Sequence, residues 1–246
     1  MPPAEGPCDP IDPAHCMFPF PSNLYLVPDA ARETGFTLDF GAALPRNTAG
    51  KSIESAPYRR LDGYGVGTPL MVSFPNADLT GLATEDNIAP SLAADAPILW
   101  FEVAGDGALV RVPYFVEDDV PETDAAKKVL IVRTGSIMKE ATRYVVAFRA
   151  LKDKDGKVFE PSAAFAALKA GRRGDSELAS RQIGFDKVFA ELTTAGVDKL
   201  AAMASSLWPA SAARRICARL ISRADFLPLA MNALSSARSS SFSSTR

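Results

Sequence analysis

Between Ala96 and Leu168 apolar residues recur in short dense runs separated by turn-forming residues, the pattern of packed β structure. PILWFEV (Pro97 to Val103) and LVRVPYFV (Leu109 to Val116) flank AGDGA, which predicts a hairpin. KVLIVRT (Lys128 to Thr134) and RYVVAFRAL (Arg143 to Leu151) follow, rich in β-branched and aromatic residues, and then KDKDGKVF. Asp155-Gly156 in that last run supplies the positive φ a tight turn needs. The chain is therefore predicted to be mainly β, with an Ig-like β-sandwich over residues 96–170.

The flanks read differently. In residues 1–60 prolines at 2, 3, 7, 10, 13, 19, 21, 28 and 45 each fix φ and remove a donor, so this is extended chain laid on the core. Phe18, Phe20, Leu24, Tyr25, Leu26 and Val27 are its expected anchors. Through residue 95, glycine and proline keep apolar stretches short, and PLMVSF (Pro69 to Phe74) reads as a strand. Residues 1–95 are thus assigned as a Pro/Gly-rich segment packing on the sandwich. After Pro161, SAAFAALKAG reads as a short helix capped by Ser162 and stopped by Gly171. FDKVFAELTTAGVD sets Phe185, Val188, Phe189 and Leu192 at helical spacing, a second short helix within a linker-and-helix region over 171–199. From Leu200 the composition turns to alanine, serine and arginine, so residues 200–246 read as a low-complexity, disordered or frame-shifted tail. Arg214, Arg215, Arg219 and Arg223 offer a basic face there, but Pro209 and Pro228 interrupt the pattern and favour a solvated extension.

With 246 residues, 47% of them hydrophobic, the chain can bury a sizeable core. A net charge of −2 lacks the basic footprint of a nucleic-acid binder. No apolar run approaches the roughly 20 residues of a membrane span. MPPAEGPCDP has neither the basic start nor the apolar middle of a signal peptide, so either the protein is cytosolic or its start is missing. The cysteines favour the second alternative. Cys8 and Cys16 flank CDPIDPAHC, a loop with no hydrophobic reason to hold its shape, and a structural disulfide would supply one in an oxidising compartment. Two unpaired thiols are the other reading.

Several residues invite a chemical role. His15 is the only histidine; a metal site needs further ligands, so it is assigned a structural place. GYGVG (Gly63 to Gly67) misses the dinucleotide fingerprint and reads as a turn into a strand. Glu117, Asp118, Asp119, Glu122 and Asp124 have the oxygens calcium takes, but beside Pro121 they read as a solvated connector. Asp153 and Asp155-Gly156 match half a calcium loop whose distal carboxylate would fall at Ala164, with Glu160 short of it. Ser136-Ile137-Met138-Lys139 fits S-x-x-K without its companion motifs. Arg173-Gly174-Asp175-Ser176 spells a tetrapeptide too short to be informative, and no G-x-S-x-G elbow occurs. No catalytic, cofactor-binding or metal-ligating set is assigned.

Taken in order, CDPIDPAHCMFPFPSNLYLVPD, PRN (Pro45 to Asn47), LDGYGVGTPLMVSFPNADL, VRVPYFVE and RYVVAFRALKDKDGKVFEPSAAFAAL resemble the N-terminal region of large secreted bacterial lipase- and esterase-like proteins, of the bacterial virulence-factor lipase N-terminal domain type. The resemblance runs from Cys8 to about Lys199. It implies a non-catalytic domain that precedes an α/β-hydrolase domain carrying the serine nucleophile. That domain would be its partner; a cell surface or a lipid or polyester would be its substrate. The implied location is extracellular, periplasmic or on the outer-membrane surface, with no cofactor. The family's pattern continues after the AGVD helix into a tryptophan-containing strand, whereas this chain turns to its Ala/Ser/Arg composition, which reads as truncation or a frame shift. A stand-alone extracellular Ig-like binding or adhesion module is the alternative, since fold alone decides no function. An enzyme in its own right would have to rely on Ser136 or His15.

Overall fold

The structure is a computed structural model that describes residues 9–12, 15, 17–47, 49–171, 176–197 and 207–209. The chain divides into two compact units, Met1–Ser211 and Ala212–Arg246, and every described residue belongs to the first. Cys8, Cys16, Cys217, the Arg173 to Asp175 tripeptide and Arg214, Arg215, Arg219 and Arg223 lie outside the described residues.

The fold is mainly β, in three antiparallel sheets with two helices. Strands β1 (Leu26–Pro28) and β2 (Phe36–Leu38) form a two-stranded ribbon. A three-stranded sheet has the order β3 (Leu70–Ser73), β7 (Val129–Thr134), β6 (Tyr114–Glu117). A four-stranded sheet has the order β5 (Leu109–Arg111), β4 (Ile98–Val103), β8 (Arg143–Phe148), β9 (Leu207–Pro209). The helices are α1 (Ala163–Lys169) and α2 (Ser176–Thr194).

Burial distinguishes the two larger sheets. In the three-stranded sheet Leu70, Val72, Tyr114, Val116, Leu130 and Val132 are buried while their sequence neighbours are half-exposed, the alternation of a sheet with one covered face. In the four-stranded sheet Ile98 to Phe101 are at most 3% exposed and Tyr144 to Phe148 at most 1%, the continuous burial of strands covered on both faces. The register places Ile98, Trp100, Tyr144, Val146 and Phe148 on one face and Leu99, Phe101, Arg143, Val145 and Ala147 on the other. Phe148 on the first meets the Phe74 ring, just past β3, at 5.0 Å. Arg143 on the second is ion-paired with Glu191 of α2.

Three elements differ from the sequence expectation. The run Leu109 to Val116 is two strands in different sheets: Val112 N–H donates to the Trp100 carbonyl (2.8 Å), ending one ladder, and Gly135 N–H donates to the Pro113 carbonyl (2.7 Å), opening the next. Pro113 has no N–H to continue the first ladder, which is why the switch falls there. The second helix is not short; α2 has 19 residues and begins at Ser176. Gly184, an unfavourable residue in a helix interior, hides its first half from a propensity reading. Within the stretch taken as a low-complexity tail, Leu207–Pro209 is a strand that pairs with β8, Leu207 opposite Val145 and Pro209 opposite Arg143. It contains Trp208.

The N-terminal segment is fixed by hydrogen bonds and by aromatic packing. Phe20 exchanges two main-chain hydrogen bonds with Met71 on the free edge of β3, at 2.9 and 2.7 Å. Its ring meets Tyr64 edge-on at 5.4 Å, and Tyr25 and Tyr58 each pack on Phe40 at 5.2 Å. Tyr25 is thus an anchor as expected, whereas Val27 is 43% exposed and anchors nothing.

Candidate functional site

A cleft of about 250 Å³ opens where the N-terminal segment, the end of β3 and the approach to α1 meet. The turn at Asp153 to Gly156, with Gly156 at φ +79°, folds the chain back so that Phe159 N–H donates to the Leu151 carbonyl at 3.0 Å. Phe159 is thereby brought against Phe74, ring centroids 5.0 Å apart. Ser162 caps α1 by accepting from Phe165 N–H at 3.2 Å, and this sets Phe165, 2% exposed, as the cleft floor. Ile11 and Val72 complete the apolar wall; Asp12 and Glu160 bring carboxylates to it.

His15 lies beside this cleft. Successive turns, with Asp12 N–H on the Asp9 carbonyl (2.9 Å) and His15 N–H on the Asp12 carbonyl (3.3 Å), bring the His15 Nδ1 to 3.0 Å from Asp12 Oδ1. A histidine oriented by a carboxylate is two-thirds of a hydrolytic triad. No hydroxyl is bonded to its ring among the described residues.

A second cleft, of about 290 Å³, also has Phe74 in its lining and is walled by Asn76, Asp78, Thr80, Asp118, Lys128 and Lys154. Its charges are of both signs. Asp118 takes Lys128 at 2.7 Å, and the Thr80 hydroxyl and N–H hold the Asp78 carboxyl below its usual range.

The residues singled out in the sequence are dispersed. Ser136 is exposed in the connection between β7 and β8, while Lys139 donates to Glu102 Oε1 at 2.6 Å. That bond and the Glu102 charge raise the Lys139 pKa, and the hydrogen bond of the ammonium goes to Glu102. The acidic connector is tied off by cations: Glu117 to Arg133 (2.7 Å), Asp118 to Lys128 (2.7 Å) and Asp124 to Lys127 (2.9 Å). Asp153 Oδ1 accepts the main-chain N–H groups of Asp155 and Lys157 at 3.0 and 2.9 Å, stabilising its own turn. Among the described residues no group of three or more His, Cys, Asp or Glu side chains converges as metal ligands would. GYGVG makes a turn into β3 in which the Tyr64 hydroxyl donates to the Ser22 carbonyl at 2.7 Å.

One constellation is invisible in the sequence. Asp9, fully buried, accepts from Arg181 on α2 at 2.6 Å and from Ile11 N–H at 2.9 Å. Its only signal is its place in the CDP motif, because Arg181 sits in the half of α2 that Gly184 conceals. No protein-family model matches the chain, and neither a curated protein nor a solved structure matches it. No described helix is long and apolar enough to cross a membrane.

Proposed function

We propose that this chain is a non-catalytic domain of a secreted lipase- or esterase-like α/β-hydrolase, acting as scaffold or in contact with substrate or surface. The motif series from Cys8 to about Lys199 supports it by its order. The structural observation that supports it is the pairing of Lys139 with Glu102 at 2.6 Å, which commits the ammonium of the S-x-x-K stretch to a carboxylate. Ester chemistry would then reside in a partner domain bearing its own nucleophile. Sequencing the gene beyond the Arg246 codon tests this: a G-x-S-x-G hydrolase segment in any register supports the reading, and unrelated sequence overturns it.

The aromatic cleft favours a second reading, a binding module in which the two larger sheets form an Ig-like sandwich presenting a ligand site at the N-terminal segment. Binding of a small ligand by the isolated chain, with no hydrolase gene downstream, would select it.

A further inference from the structure

We propose that the cleft between Phe74, Phe159 and Phe165 binds a small organic ammonium, a primary or quaternary amine on an aromatic or short aliphatic body. Size sets the first limit. A cavity of about 150 Å³ holds benzene, so the roughly 250 Å³ here takes one ring and a short arm. The walls match such a body, since Phe74 and Phe159 are half-exposed, in contact with each other, and Phe165 closes the floor.

Charge sets the second limit. Among the described residues the ionisable side chains lining the cleft are Asp12 and Glu160, with no lysine or arginine. Asp12 is engaged by His15, whereas Glu160 is exposed and has no ion-pair partner among the described residues. A cation at the rim therefore meets one uncommitted carboxylate beside two aromatic rings, surroundings suited to a cation–π contact. An anion of the same shape meets two carboxylates, set against the weak positive end of the seven-residue α1 at Ser162. The site is distinct in chemistry from ester hydrolysis and stands whether or not a hydrolase domain follows.

Phenethylamine is the probe, titrated into the intact chain by heteronuclear NMR beside 3-phenylpropionate, its anionic counterpart. Saturable shifts confined to residues around Phe74 and Phe159 are expected for the amine, with the carboxylate at least tenfold weaker. Glu160→Gln, on the surface, should weaken the amine about 3- to 5-fold, the scale of an exposed ion pair, and leave thermal unfolding unchanged. Equal affinity for amine and carboxylate, no response to Glu160→Gln, or shifts scattered over the surface would each overturn the proposal. Absence of saturation by the amine at tens of millimolar would do the same.

Discussion

Asp9 and Arg181 stand 172 positions apart in the chain and meet as a buried ion pair, Nη1 to Oδ1 at 2.6 Å. The Asp9 side chain is 1% exposed and that of Arg181 17%. The pair joins the Asp9 turn at the start of the described chain to α2, and neither of these contributes a strand to the larger sheets. The remaining acceptor capacity of Asp9 is used by Ile11 N–H and, at 3.4 Å, by the Ser22 hydroxyl. Arg181 also lies over the Phe185 ring, 5.4 Å from its centroid.

Breaking this pair from one side leaves a buried charge without its partner, which costs about 3–5 kcal/mol. Asp9→Ala and Arg181→Ala are each expected to lower stability on that scale in denaturant titrations. The double variant should cost clearly less than the sum, because neither charge is then stranded. Additive losses would mean that the two residues contribute independently of their contact.

How much of this was legible follows from what each residue interacts with. The strands Ile98–Val103, Val129–Thr134 and Arg143–Phe148, the Gly156 turn and the Ser162 cap are local in origin, encoded by side-chain pattern and by single residues with one conformational use. The switch at Pro113 lies inside an unbroken apolar run, and only the partner strands reveal that its halves belong to different sheets. The strand Leu207–Pro209 is too short and too alanine-flanked to show a period; it exists because the edge of β8 at Arg143 to Val145 offers a ladder. Asp9 is an ordinary loop aspartate until a helix 172 residues away supplies Arg181. The cleft likewise depends on Phe74 and Phe159 meeting across the fold.

The Leu207–Pro209 strand can be weighed by comparing a chain ending at Ser211 with one ending at Ser206, which differ chiefly in those residues. The ladder covers Arg143 to Val145. At roughly 0.5–1.5 kcal/mol per net hydrogen bond, the shorter chain should be about 1–3 kcal/mol less stable. Superimposable thermal transitions would show that the strand contributes nothing.

Four buried tyrosines are expected to make stability fall at alkaline pH. Burial, followed by the neighbouring Asp9 charge, pushes the Tyr25 phenol up to about 12; burial pushes Tyr114 to about 12, and raises Tyr64 and Tyr144. An unfolded tyrosine ionises near pH 10. Because the folded phenols hold their protons more tightly, the stabilisation is whole below about pH 10 and is lost as pH rises toward 12. Unfolding followed at stepwise higher pH should steepen across that window, and Tyr25→Phe should soften it. A stability that is flat from pH 9 to 12 contradicts the assignment.

The Cys8–Cys16 crosslink is an expectation of the sequence alone. Closing so short a loop would stabilise the chain by about 2–3 kcal/mol, chiefly through the unfolded state. Peptide mapping without reductant should recover one Cys8–Cys16 crosslink and a free Cys217. Recovery of Cys217 joined to either would rule the pairing out.

The purified chain is expected to hydrolyse no ester. Acyl transfer by serine requires a hydroxyl within hydrogen-bond reach of a base, a group orienting that base, and donors aimed at the developing oxyanion. His15 has the orienting carboxylate, Asp12 at 3.0 Å, yet no serine hydroxyl is bonded to its ring among the described residues. Ser162, which lines the cleft nearby, already accepts from Phe165 N–H as the cap of α1. Removing it would cost the helix about 1 kcal/mol. The other hydroxyl with an amine close in sequence, Ser136, is exposed, and the Lys139 ammonium is paired with Glu102. Short- and medium-chain nitrophenyl esters should therefore turn over at the protein-free rate in the wild-type chain and in His15→Ala, Ser162→Ala and Ser136→Ala alike. Turnover above that rate which is lost in His15→Ala and Ser162→Ala together would locate a hydrolytic site at the aromatic cleft. Loss in Ser136→Ala alone would locate it in the connection between β7 and β8. Either result would overturn the assignment of this chain as the non-catalytic partner of a hydrolase domain.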